Sequence, residues 1–418
     1  MKVLIKQARI TDSSSPFHGQ VKDILIEDGL VKQVSDQISA DSAQVIAQEN
    51  LHVSIGWMDV FASFPDPGYE HKESLESGSA AAAAGGFTDV MILPNSNPAI
   101  SSKSQVEYVL AKAAGLPVHI YPIGSVTKNT EGKELTEMYD MHNSGAIAFG
   151  DGIQPVQSPG VLLKALQYVL PLNATVIQVP DDRSISKTGL MNEGIVSTRL
   201  GLPGKPAIAE ELMIARDIEL LKYTGSRLHF TGVSTKKGME MIREAKAAGL
   251  QVSVSVTPYH VWFCDEDLVG YDTNLKVNPP LRKREDMIAI RDALFDGTVD
   301  CIASHHIPQH WDDKTCEFEY AKNGMIGLET VFGAINSYST NLDKLIDMLT
   351  VSPRRLFGLH TGSIREGATT CLTLFNPAAE FTFEESMIRS RSHNSAFIGK
   401  QLKGKVIGII NKQKVILN

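Results

Sequence analysis

The residues of this chain best suited to chemistry are His305, His306 and His310, together with Asp151 in the turn Gly150-Asp151-Gly152. Imidazole and carboxylate are the donors that zinc and other transition metals take. His305, His306 and His310, with Asp151 or His260, could therefore hold a metal ion. Against this, adjacent histidines on a strand face opposite sides, so one ion rarely takes both. Asp151 alone reads as a turn or helix-capping residue rather than as a ligand. Asn95 and Asn278 could fix their own loops, since asparagine readily bonds nearby backbone in turns. Tyr259 and His260 read as packing and polar lining, and Pro353-Arg354-Arg355 as a helix cap or a solvated charge. No GxSxG, GxxxxGK[ST] or HExxH pattern occurs, so serine hydrolase, P-loop and zincin chemistry have no support.

These residues need elements to position them. The middle of the chain alternates apolar runs with helical patterns. Strands are expected at Trp57-Val60, Phe87-Leu93, Val118-Ile123, Gly145-Phe149, Thr175-Val179, Arg227-Thr231, Gln251-Val256 and Asp300-Ser304. Helices are expected between them, at Ser104-Ala114, Pro159-Tyr168, Ala209-Tyr223, Lys237-Ala248 and Lys283-Phe295. This alternation predicts an α/β protein with a (β/α)₈ barrel over residues 55–362. Both chain ends are rich in short strand patterns, so residues 1–54 and 363–418 are expected to form one small discontinuous β-domain. Barrel chemistry sits at the C-terminal ends of the strands. Phe61-Ala62-Ser63, Asn95, Asp151, Gln178, Gly232, His260 and His305-His306 all fall at such ends.

Composition narrows the function classes. With 418 residues, 43% hydrophobic and 21% charged, the chain can bury a large core without staples. A net charge of -8 argues against a nucleic-acid binder. The N-terminus carries no signal-peptide pattern, and no run approaches a membrane span. Cys264, Cys301, Cys316 and Cys371 form no CxxC pair and read as reduced thiols in a cytoplasmic protein.

Five ordered motifs then carry a resemblance. Gly56-Trp57-Met58-Asp59-Val60-Phe61-Ala62-Ser63-Phe64-Pro65-Asp66-Pro67-Gly68-Tyr69-Glu70-His71-Lys72-Glu73 resembles the first-strand motif of dihydroorotases in the amidohydrolase superfamily. Gly85-Gly86-Phe87-Thr88-Asp89-Val90, Leu93-Pro94-Asn95-Ser96-Asn97-Pro98, Lys276-Val277-Asn278-Pro279-Pro280-Leu281-Arg282 and Gly327-Leu328-Glu329-Thr330 follow the same family in the same order. The resemblance implies reversible hydrolysis of the cyclic amide dihydroorotate to carbamoyl aspartate, in pyrimidine biosynthesis, with one or two zinc ions.

It also implies six positions for ligation and proton transfer, and this chain departs at five. Phe61 and Ser63 stand where the first strand should carry His-x-His, and Pro65 where a carboxylate-binding arginine follows. Asp151 matches. Gln178 stands for the fifth-strand histidine, Gly232 for the second histidine of the sixth strand, and His305 for the proton-shuttling aspartate of the eighth. Phenyl and glycine offer no donor atom, so zinc is not expected at the family's place. Asn95 and Asn278 match substrate-binding positions. The expected function is a non-catalytic dihydroorotase homologue serving as scaffold or partner of aspartate transcarbamoylase, and a homo-oligomer. The alternatives are a cyclic amidohydrolase with a relocated metal site at His305, His306 and Asp151, and a small-ligand binding or regulatory protein.

Overall fold

A computed structural model describes all 418 residues. Eight parallel strands run in spatial order from Trp57–Ala62 (β1) through Phe87–Ile92 (β2), His119–Gly124 (β3), Ala148–Phe149 (β4), Thr175–Gln178 (β5), Leu228–Thr231 (β6) and Val252–Val256 (β7) to Cys301–Ile302 (β8). They are buried on both faces, as parallel strands under a helical layer must be: all five residues of β7 are buried. A bridge between Ala62 and His306 closes β8 onto β1, and the Ser63 N–H donates to the His306 carbonyl at 2.8 Å. A buried carboxylate completes this seam. Asp59 accepts from the Ser304 N–H at 2.6 Å and the Ser304 hydroxyl at 2.9 Å. The (β/α)₈ architecture is thus as expected.

Two strands are shorter than their sequence patterns. At the fourth, Gly145 has φ +113°, outside the strand region, so only Ala148–Phe149 pair. At the eighth, the Asp300 carboxylate accepts the Val254 N–H at 2.8 Å in place of a ladder carbonyl.

The helices follow their local signals. In Pro159–Val169 the Ser158 hydroxyl accepts from the Val161 N–H, Pro159 opens the first turn, and Leu162, Ala165, Leu166 and Val169 make one buried face. Pro353-Arg354-Arg355 lies in the helix Val351–Leu356, where Arg355 is exposed as expected. Arg354 does cap, donating to the carbonyl of Thr350 at the end of the helix Leu342–Leu349 at 3.0 Å, but it is not solvated: it is 5% exposed and its guanidinium meets the Asp89 carboxylate on β2 at 2.5 Å. The sequence cannot reveal this, because the partners are 265 residues apart.

Both chain ends enter one sheet. Its order is Lys414–Leu417, Gln401–Asn411, Cys371–Thr382, His52–Ile55, Lys2–Ile10, Val21–Glu27, Leu30–Ser35, with Gln44–Ile46 paired alongside Lys2–Ile10. Residues 383–400 leave this sheet and cross to the barrel. Phe383, Ile388 and Phe397 pack in one buried cluster with Tyr259, Phe263 and Met325. Two buried carboxylates clamp this strap: Glu73 accepts the Arg391 N–H at 3.0 Å and the Ser390 hydroxyl, and Glu329 accepts the Arg389 and Ser390 N–H groups at 3.2 and 3.1 Å.

Candidate functional site

The side chains at the barrel mouth are set by strand parity and by one backbone reversal. His305 has φ +43°, a left-handed conformation just beyond β8. That reversal sends His305 inward and His306 outward. The His305 ring stacks on Phe61 at 4.3 Å between centroids and 26° between planes. Its Nε2 lies 2.7 Å from Thr231 Oγ1. Burial, reinforced by His260 and His229, pushes the His305 pKa well below the usual range, so the ring is neutral. Gly232 (φ +71°) makes the room: a Cβ there would lie 2.7 Å from His305 Cε1.

A file of buried hydrogen bonds continues inside the barrel from Thr231. The Ser255 hydroxyl donates to Thr231 Oγ1 at 2.8 Å, His229 Nε2 lies 3.0 Å from Ser255 Oγ, and His229 Nδ1 lies 2.8 Å from Ser253 Oγ. Burial pushes the His229 pKa down to about 3. His260, likewise pushed down to about 3 by burial, bonds Thr257 and the Pro279 carbonyl.

His306 belongs to a different environment. Its Nδ1 accepts the Gly327 N–H at 3.2 Å, so the ring proton sits on Nε2 and is donated to Glu73 at 3.2 Å. His310 lies at the surface, beside Asp312 at 3.2 Å and the ring of His71. Both oxygens of Asp151 are engaged by Thr127, through its N–H at 2.9 Å and its hydroxyl. Burial pushes this carboxyl up to about 6. The relocated metal site therefore does not assemble: its residues point into three separate surroundings, and no group of three or more His, Cys, Asp or Glu side chains could hold an ion.

Gln178 also departs from expectation, since it does not stand at the mouth. On β5, Val176 faces the helical layer while Ile177 and Val179 face the barrel interior. Gln178 shares the outward parity, and its amide donates to Asp217 at 3.2 Å and the Val156 carbonyl at 3.3 Å. Val179 takes the inward place. Ser63 serves the seam through its backbone and does not line the mouth.

Asn95 fixes a loop: its Nδ2 donates to the Asp151 carbonyl at 3.1 Å and its Oδ1 accepts the Ile153 N–H at 3.0 Å. Asn278 lines the mouth, with its Oδ1 accepting from Lys205, which pairs with Asp181 at 2.7 Å. The mouth itself is a cleft of about 230 Å³. Phe61, Val179, Tyr259 and Ile307 supply apolar walls; Arg183, Lys322 and Asn278 supply polar groups, and no carboxylate lines it. Arg183 rests on the Gln154 side chain and the Ile153 carbonyl. Val179 lies in the expected end of the fifth strand, whereas Arg183 and Lys322 were not among the residues expected from sequence. The available signal was their place in the segments following strands five and eight, where barrel sites form.

Zinc, which the family resemblance implies, does not fit these residues. A phenyl ring stands at 61, His305 fills the space beside 232, Gln178 has left the barrel, and Asp151 is tied to Thr127.

Comparison with known proteins agrees with the architecture and narrows the family. A family model described as Dihydro-orotase-like matches residues 52–238. The dihydroorotase of Syntrophus aciditrophicus (strain SB) is 37% identical over 423 residues, covering 100% of this chain and 99% of the relative. That of Caldanaerobacter subterraneus subsp. tengcongensis is 40% identical, covering 97% and 95%. The fold resembles the L-hydantoinase (dihydropyrimidinase) of Arthrobacter aurescens, with a TM-score of 0.85 at 22% identity over 100% of this chain and 96% of that one. Full-length relatedness at this level, on a barrel with the flanking sheet from both termini, means that the chain belongs to the dihydroorotase family.

Proposed function

We propose that this protein is a dihydroorotase homologue of pyrimidine biosynthesis that no longer performs the zinc-dependent hydrolysis and acts as a non-catalytic scaffold. The observation that carries this reading is the Phe61–His305 stack over Gly232, which fills the family's metal position with groups that cannot ligate together. Catalytic zinc needs about three protein donors and an open position for water. The proposed partner is aspartate transcarbamoylase, on the strength of the family resemblance, with this chain as a homo-oligomer. The test is direct. Purified protein, stripped of metal and reloaded with zinc, is assayed on dihydroorotate; turnover at enzyme-like rates overturns the proposal. Size-exclusion chromatography alone and with aspartate transcarbamoylase reads the assembly, and separate elution overturns the partner.

The mouth cleft favours a second reading, in which it retains small-ligand binding. Arg183 and Lys322 line it with no carboxylate opposite them, so a small anion would be attracted there. Thermal-shift measurements with pyrimidine intermediates test this, since a ligand at 100 times its Kd stabilises by about 2.7 kcal/mol. No shift with any of them counts against it.

A further inference from the structure

A second cleft, of about 430 Å³, lies beside the mouth, between the loops after β1, β7 and β8 and the strap. Trp311 is the one hydrophobic residue among the thirteen that line it, and its side chain is 70% exposed. A large indole left in water amid polar groups has an unused stacking face. Around it stand Arg391, Asn274, Glu385 and the ring pair His71–His310, whose centroids are 5.8 Å apart.

The walls of this cleft are held rigidly. Lys314 is 8% exposed, and its Nζ donates to the Thr273 and Lys322 carbonyls, both at 2.8 Å. Asn394 is 6% exposed; it donates to the Gly324 carbonyl at 3.1 Å and accepts the Gln309 N–H at 3.1 Å. The Ser392 hydroxyl donates to the Lys72 carbonyl at 2.7 Å. A site whose walls are already ordered loses little entropy when a ligand arrives.

Arg391 is the cation that faces an incoming anion, and the acids near it are Glu385, beside His393, and Asp312, beside His310. The Arg391 guanidinium donates to the Glu70 carbonyl at 2.7 Å and forms no direct ion pair, although Glu76 lies within its electrostatic reach, so its other N–H donors remain available. Glu385 Oε1 lies 2.9 Å from His393 Nδ1, which leaves its second oxygen facing the cleft.

We propose that this cleft binds a nucleoside phosphate. The base stacks on Trp311, the phosphate is taken by Arg391 and the His71–His310 pair, and the ribose hydroxyls by Asn274 and the second oxygen of Glu385. A simple anion would leave the indole unused, and a neutral sugar would leave Arg391 unused. None of these six groups lines the mouth cleft, so the proposal stands apart from the reading of the barrel mouth.

The experiment uses the full chain. Trp57 is fully buried and Trp262 is packed against Phe397 and Tyr338, so tryptophan emission sensitive to a surface ligand reports Trp311. UMP, uridine and inorganic phosphate are titrated separately, and equilibrium dialysis of labelled UMP gives a second, independent constant. Expected are saturable quenching by UMP, binding of uridine and of inorganic phosphate at least about tenfold weaker, and about tenfold weaker UMP binding in Arg391→Gln. Arg391 is exposed, so Arg391→Gln is expected to keep its unliganded melting temperature. Trp311→Phe abolishes the optical change and weakens binding in dialysis. The proposal is overturned by no saturable UMP binding at millimolar concentration, by uridine or phosphate binding as well as UMP, or by unchanged affinity in Arg391→Gln.

Discussion

The ring of His305 occupies the space that a side chain on Gly232 would need, with Cε1 2.7 Å from the ideal Cβ position. The two residues are therefore coupled. Restoring a histidine at 232 alone forces a β-carbon into that ring and places a side chain at φ +71°. Gly232→His is expected to destabilise the fold by about 2–4 kcal/mol. Gly232→His with His305→Asp should recover at least about 1 kcal/mol of this, because the smaller side chain vacates the space. Denaturant unfolding of the double-mutant cycle measures the coupling, and strict additivity would refute it.

Glu73 joins the barrel to the strap. Burial opposes its ionisation, yet hydrogen bonds from His306, Ser390 and Ser77 hold its pKa below the usual range. Glu73→Ala leaves His306 Nε2–H and the Arg391 N–H without an acceptor in the interior. A loss of about 3–5 kcal/mol is expected. Amide hydrogen exchange should accelerate over residues 388–394 in particular, and uniform acceleration across the barrel would contradict the clamp.

Arg354 and Asp89 form the ion pair that locks the helix Val351–Leu356 to β2. Burial opposes ionisation of Asp89, but Arg354, with His119 and Thr88, holds its carboxyl well below the usual range. Arg354→Met removes one partner of a buried pair and should cost about 3–5 kcal/mol. Adding Asp89→Asn should restore part of it, which melting temperatures of the single and double variants will report.

Asp151 gives a pH dependence of definite sign. Its pKa is raised by burial from 3.8 to about 6, so the folded state holds the proton more tightly than the unfolded state. At pH values below both pKa values the two states are protonated alike and the group contributes nothing. As pH rises through the window from about 4 to about 6, the unfolded chain ionises first and stability falls, by roughly 3 kcal/mol for two units. Wild type should thus lose more stability than Asp151→Asn across that window in denaturant titrations. Parallel pH profiles would show that Asp151 is not the group responsible.

The alternation of strands and helices, the order of the family's motifs and the loss of donor chemistry at 61 and 232 are legible in the residues alone. Periodicity and residue type are local properties: a phenyl ring and a glycine cannot ligate in any fold. Where the remaining polar side chains point depends on packing between distant segments. His305 and His306 are neighbours in sequence, but one backbone reversal gives the first to Phe61 and Thr231 and the second to Glu73. Gln178 left the barrel because Asp217 and Val156 accept its amide from the helical side. Asn95, legible as either a ligand contact or a loop anchor, spends its amide on residues 151 and 153. The strap was not legible at all, since Glu73 meets Ser390 across 317 residues. Such partners lie far apart along the chain, and which of them satisfies a buried polar group is settled only when the packed elements exclude water.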